Sequence, residues 1–166
     1  MRKTVLIILA FVVLSCKQKE VPTQFSAEAL NDTFITLQDE TVTFNDIIQA
    51  HKGQTLLIDV WASWCKDCIE GMPKVKTLQK EYPNVTFLFL SLDKTKEAWR
   101  KGIEKHHVTG DHYFMQSGWE GPFGTSIELK WIPRYIVVDK DGKIALYNAT
   151  TANDKNIVKT LDLLKK

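Results

Sequence analysis

The sequence carries almost no excess charge: 22 basic and 20 acidic residues leave a net +2 with histidine neutral. No strong field draws such a chain to nucleic acid or to acidic lipid, and no nucleic-acid partner is expected. Cysteine is scarce, at three in 166 residues, and a chain of this length buries a core without disulfide staples. There is no internal repeat and no low-complexity block, which leaves one ordinary globular domain, expected to be monomeric. Histidine is rare as well, and the spacing of His106, His107 and His112 matches no metal-ligand pattern, so neither a metal nor another cofactor is expected.

Only one long apolar run interrupts this picture. It extends from Val5 to Leu14, after Arg2 and Lys3 and before Ser15 and Cys16. A basic start, a short apolar core and a small residue form a secretory signal, too short to span a bilayer by itself. The ending Val13-Leu14-Ser15-Cys16 resembles the lipobox of bacterial lipoproteins, which implies lipid on Cys16 as the first mature residue. The alternative is a plain signal followed by a free cysteine, and a lone thiol outside the cell is a liability. The expectation is therefore a signal over residues 1–15, with lipid replacing it as the membrane attachment on the extracytoplasmic, periplasmic side. Residues 16–31 are polar, carry Pro22 and read as a flexible tether, with the folded domain over 32–166.

Within the domain, Phe34–Leu37 and Thr41–Phe44 flank the polar Asp39-Glu40 and predict a β-hairpin. Asn45 is a candidate cap for a brief helix ending before Gly53. Thr55–Val60 is nearly continuous apolar sequence, as expected of a strand buried on both faces. A helix is predicted from Cys65 to about Tyr82, with Cys68, Met72, Val75 and Leu78 as its inner stripe. Val85–Leu92 is a second buried strand, and Trp99 and Ile103 mark one face of a helix between Lys94 and His107. Strand, helix, strand at this spacing implies a parallel unit with a right-handed crossover. His112–Met115 reads as a short strand and Gly121–Leu129 as a short helix. Arg134–Asp139 and Ile144–Tyr147 form a hairpin around an Asp-Gly turn. A terminal amphipathic helix carries Ile157, Val158, Leu161 and Leu164, capped by Asn153 or Asp154.

The chemistry centres on Cys65 and Cys68. A bridge closing so short a loop gains little in chain entropy, so the pair is better explained by reactivity than by stability. A thiolate is the nucleophile of disulfide exchange, and a helix N-terminus favours negative charge. Cys65 at the helix start is the expected exposed attacking sulfur, and Cys68 on the buried stripe is the resolving one. Asp59 stands inside an apolar strand, where an unpaired carboxylate is costly.

Asp59-Val-Trp-Ala-Ser-Trp-Cys-Lys-Asp-Cys68, with Pro73 five residues later and Trp131-Ile132-Pro133 further on, resembles the active-site region of the thioredoxin superfamily. The long segment between Lys94 and Lys130 is similar to the insertion of its TlpA/ResA-like branch, whose members are often membrane-tethered. The resemblance implies an α/β thioredoxin-like fold, a central mixed sheet flanked by helices, with an N-terminal β-hairpin and a central insertion. It implies that Asp59 moves the proton of Cys68, that Pro133 is a cis-proline against the disulfide, and that the Ile132 backbone pairs with an extended substrate. Trp64, Lys66, Asp67 and Trp131 are the expected substrate rim, whereas Trp61, Met72 and Met115 are expected in the core. Two features depart from the family: Lys66-Asp67 replaces the common Gly-Pro, and Trp131 is large for a residue beside the groove. The implied activity is thiol–disulfide exchange, most simply reduction of disulfides in exported proteins, in cytochrome c maturation or envelope thiol homeostasis. Such a reductase needs a membrane thiol electron donor. The rival readings are an oxidase or isomerase, a copper chaperone, and a non-catalytic binding module.

Overall fold

The computed structural model describes residues 21–165. Cys16, the signal at 1–15 and the first part of the expected tether lie outside these residues. Six helices and seven strands follow in chain order among the described residues: α1 (Ala27–Leu30), β1 (Thr33–Thr36), β2 (Thr41–Thr43), α2 (Phe44–Ala50), β3 (Thr55–Trp61), α3 (Lys66–Glu81), β4 (Val85–Ser91), α4 (Lys96–His106), β5 (Asp111–Phe114), α5 (Pro122–Ser126), β6 (Arg134–Val138), β7 (Ile144–Ala149) and α6 (Lys155–Leu164). No described helix is long and apolar enough to cross a membrane.

All seven strands join one mixed sheet in the order β2-β1-β5-β4-β3-β6-β7. β3 pairs parallel with β4, and β4 parallel with β5. β6 runs antiparallel to β3 and β7 antiparallel to β6, while the β1–β2 hairpin joins antiparallel to β5. Every residue of β3 and β6 is buried, which explains their largely apolar sequences. The parallel β3–α3–β4 unit puts the end of β3 and the start of α3 at one end of the sheet, where ligands bind in open α/β sheets.

Packing holds α3 in place. Its buried residues are Cys68, Met72, Val75 and Leu78, the stripe expected from their spacing. Burying a side chain such as Leu78 contributes on the order of 2 kcal/mol. The exposed Lys66–Glu70 pair on the outer face, at 3.6 Å, adds little by comparison. In the same core, aromatic rings join α1, α2, α5 and β1: Phe44 packs 4.8 Å from Phe25 and 4.6 Å from Phe123 between ring centroids. Phe34 meets Phe123 edge to face at 5.6 Å.

Two expectations need correction. Thr43, not Asn45, caps α2: its hydroxyl accepts from Asp46 N–H, and Asp46 accepts in return from Thr43 N–H at 2.9 Å. Such a reciprocal pair satisfies two free amides, which a single Asn cannot do. The packed domain also begins earlier than residue 32. Phe25 and Ala29 are buried in the core, Ser26 caps α1, and Ile144 N–H donates to the Thr23 carbonyl at 2.8 Å. Among the described residues of this polar stretch two side chains, Phe25 and Ala29, are buried in the core, too few to form a visible period.

A candidate active site where β3 meets α3

β3 delivers the chain through Ala62–Trp64 to Cys65, which is the N-cap residue of α3, with φ −80° and ψ 105°. Its sulfur accepts the Cys68 amide N–H at 3.1 Å, so one of the free donors of the helix start is aimed at sulfur. The two cysteines are joined in a disulfide with Cα atoms 5.3 Å apart. Cys68 is fully buried, and Cys65 is only 6% exposed. Cys65, expected as the exposed sulfur, is thus more recessed than its helix-start position implied. The segment before β6 accounts for that: the Ile132–Pro133 bond is cis, and the Ile132 carbonyl oxygen lies 3.7 Å from the Cys65 sulfur. Ile132 therefore stands against Cys65, and the bond to Pro133 is cis as the family resemblance implied.

The loop ahead of Cys65 is fixed by residues that sequence reading did not single out. The buried Asp93 carboxylate accepts from Ser63 N–H at 3.1 Å and from the Ser63 hydroxyl at 2.6 Å. It also accepts from the Ser91 hydroxyl at 2.8 Å. On the other side, a Cβ on Gly102 of α4 would stand 2.4 Å from the Ser63 Cβ. Only glycine lets α4 approach so closely. The signal available in the sequence was position alone, since Asp93 follows the carboxyl end of a buried strand.

Asp59 is 1% exposed, and neither of its oxygens completes a hydrogen bond of ordinary geometry. Burial pushes its carboxyl up to about 8, against a smaller downward pull from the Tyr135 hydroxyl. Asp59 and Tyr135 are directly opposed in the β3–β6 register, so their side chains share a face of the sheet. The Tyr135 hydroxyl lies 3.3 Å from where a Cβ on Gly71 of α3 would be. This places the acid and the phenol on the face that α3 covers, the face toward which Cys68 is buried. Tyr135 was not anticipated, because only the register of a strand distant in sequence pairs it with Asp59. Burial raises the Tyr135 phenol well above its usual range.

Trp64 and Trp131, 54% and 60% exposed, stand over a cavity of ≈ 430 Å³ that opens on Cys65. Lys66, Asp67 and Ile132 also line it, as do Trp119 and Lys130. The last two were not foreseen, since the stretch after β5 has no periodicity that orients a side chain. Every rim residue expected from the sequence lies around Cys65, with Pro133 lining the adjoining cleft. Lys66 is exposed, with its ammonium 3.6 Å from the Glu70 carboxylate.

Trp61, Met72 and Met115 lie in the core, as expected. Trp61 is fully buried, and Met72 and Met115 are nearly so. His106 and His107 end α4, whereas His112 stacks on Phe89 with centroids 5.1 Å apart. Among the described residues, no group of three His, Cys, Asp or Glu side chains is placed to hold a metal ion.

Comparison with known proteins agrees with this geometry. Residues 53–144 match a family model described as thioredoxin-like. The chain is 27% identical over 150 residues to the thioredoxin-like protein YneN of Bacillus subtilis, covering 88% of this chain and 84% of that one. It is 26% identical over 127 residues to the thiol-disulfide oxidoreductase ResA of Bacillus cereus, covering 73% and 67%. A solution structure from Bacteroides vulgatus, described as a thiol-disulfide oxidoreductase, superimposes with a TM-score of 0.69 at 30% identity, covering 84% and 90%. With a Cys-x-x-Cys disulfide at the start of α3 in the matching fold, the chain belongs to the thioredoxin-like family and is a thiol–disulfide oxidoreductase.

Proposed function

We propose that this oxidoreductase works outside the cytoplasm, held to a membrane by lipid on Cys16, and reduces disulfides in exported proteins. The signal-like residues 1–15 and the Ser15-Cys16 junction support the location. The observation that carries the chemistry is the reach of the pair: Cys65 caps the 16-residue α3 at the floor of an open cavity, while Cys68 is sealed behind it.

In the reduced protein, the Cys65 thiolate attacks one sulfur of a substrate disulfide. The S–S bond breaks, and the other substrate sulfur leaves as a thiolate. Asp59, uncharged below about pH 8 and ionised above it, exchanges the proton of the Cys68 thiol. The Cys68 thiolate then attacks the Cys65 sulfur and expels the second substrate thiolate. Two electrons have passed from the pair to the substrate, and a membrane thiol donor restores the dithiol. The setting, cytochrome c maturation or envelope thiol homeostasis, is carried over from the TlpA/ResA-like resemblance.

Direction is tested by potential. Asp67 stands beside Lys66 in the first turn of α3 and partly offsets its charge, so extreme stabilisation of a Cys65 thiolate is not expected. Equilibration with glutathione buffers is expected to place the pair below roughly −180 mV, nearer thioredoxin than the strong oxidants. Alkylation trapping in intact cells is expected to find mostly dithiol. A potential near about −120 mV with an oxidised pool would make the protein an oxidase instead.

A further inference from the structure

The described surface exposes few large apolar side chains, and two of the five are Trp64 and Trp131, beside Cys65; the others are Val21, Leu37 and Leu163. Trp119 adds a third indole to the same cavity, with Lys130 at its edge. Trp131 is also the wall of a second cleft, of ≈ 460 Å³, lined by Asp67, Glu70, Thr150 and Asn153 among others. The two spaces share Asp67 and Trp131 as walls, the first opens on Cys65, and they differ in chemistry. One offers indole faces next to the reacting sulfur. The other offers hydroxyls, an amide and two carboxylates, of which only Glu70 faces a cation, Lys66.

We propose that the preferred substrate is an extended segment whose reactive cysteine has an aromatic residue on one flank and a basic residue on the other. The aromatic residue seats among Trp64, Trp119 and Trp131, and the basic residue seats beside Asp67 and Glu70. This rests on the exchange activity proposed above and names its substrate class. Indole faces pair with aromatic rings better than area alone accounts for, and paired aromatic anchors dominate interface energetics. The covalent geometry limits where the anchors fall. Cys65 must reach the substrate sulfur while Ile132 lies 3.7 Å from it, so both clefts accept only residues close to the substrate cysteine. A carboxylate on the second flank would meet Asp67 and Glu70 as like charges. Trp119, supplied by the segment between β5 and α5, is therefore a specificity-determining residue.

The test uses peptides with one cysteine in mixed disulfide with thionitrobenzoate, whose release is coloured. The flanks are Trp or Ala on one side and Lys or Glu on the other, in both orders. The peptide disulfide gains two electrons from the reduced protein, giving peptide thiol and free thionitrobenzoate. In one of the two orders, kcat/KM is expected to be about tenfold higher for Trp than for Ala, equivalent to about 1.4 kcal/mol, and higher for Lys than for Glu. In Trp119→Ala the Trp-to-Ala ratio falls toward one. In the Asp67→Asn/Glu70→Gln variant the Lys-to-Glu ratio does so. These ratios are taken within one protein sample, so partial misfolding does not alter them. Equal kcat/KM across all flanks in both orders, with the flank-free symmetric reagent dithiobis(nitrobenzoate) still reduced, would overturn this inference alone. No reduction of any peptide or of the reagent would overturn the exchange reading beneath it.

Discussion

At the scale of the residue, Asp59 is where burial and chemistry oppose each other. Its carboxyl sits at about 8 in the fold against an ordinary value of 3.8. Between those values the folded chain binds a proton that the unfolded chain does not. Stability therefore falls as pH rises from about 4 to about 8, and the cost of the buried charge is complete above that. Asp59→Asn removes the titration. Denaturant unfolding of the oxidised protein is expected to show the variant more stable than wild type near pH 9, by at most about 6 kcal/mol, and close to it near pH 4. Its kinetics should move the other way. Stopped-flow resolution of a mixed disulfide is expected to slow on the order of a hundredfold near neutral pH, the typical worth of a positioned base. Rates that match wild type at every pH would make Asp59 a purely structural acid.

At the scale of the element, the active site is a junction, and much of that junction was legible in the sequence. The apolar run of β3, the stripe of α3 and the Asp-Gly hairpin of β6 and β7 each carry a period or a turn signal that survives folding. The thioredoxin resemblance supplied the cis bond before Pro133, which no local pattern indicates. What escaped were contacts made by register or by single side chains. Tyr135 meets Asp59 only because β6 pairs with β3 at that offset. Trp119 belongs to a stretch without periodicity, and Asp93 reaches back 30 residues to hold Ser63. Phe25 and Ala29 join the core from a segment whose composition reads as tether. The junction of α4 with the active-site loop is the most exacting of these contacts. Gly102→Ala would set a methyl group 2.4 Å from the Ser63 Cβ, and overpacking of this kind typically costs about 1–3 kcal/mol. The variant is expected to melt several degrees lower and to exchange disulfides more slowly, because the displaced loop carries Cys65. Unchanged melting and unchanged insulin reduction would show that α4 yields without moving the loop.

At the scale of the whole molecule, the sheet, the junction and the N-terminal segment divide the work. β3 and α3 fix the cysteine pair, the segments before β6 and around Trp119 build the cleft, and residues 1–16 are read as the address and anchor. Cys16→Ser is expected to abolish incorporation of labelled fatty acid and the signal cleavage coupled to it. Absence of label in the wild-type chain would remove the lipid from the account and leave the oxidoreductase standing. In the proposed cycle Cys65 attacks and Cys68 resolves. The direct measurement is trapping in cells, with the protein recovered under acid quench and separated without reductant. Cys68→Ser should accumulate partner proteins in mixed disulfides that dissolve on reduction, and Cys65→Ser should accumulate none. Mixed disulfides captured through Cys68 in the Cys65→Ser protein, with none in Cys68→Ser, would contradict that order of attack.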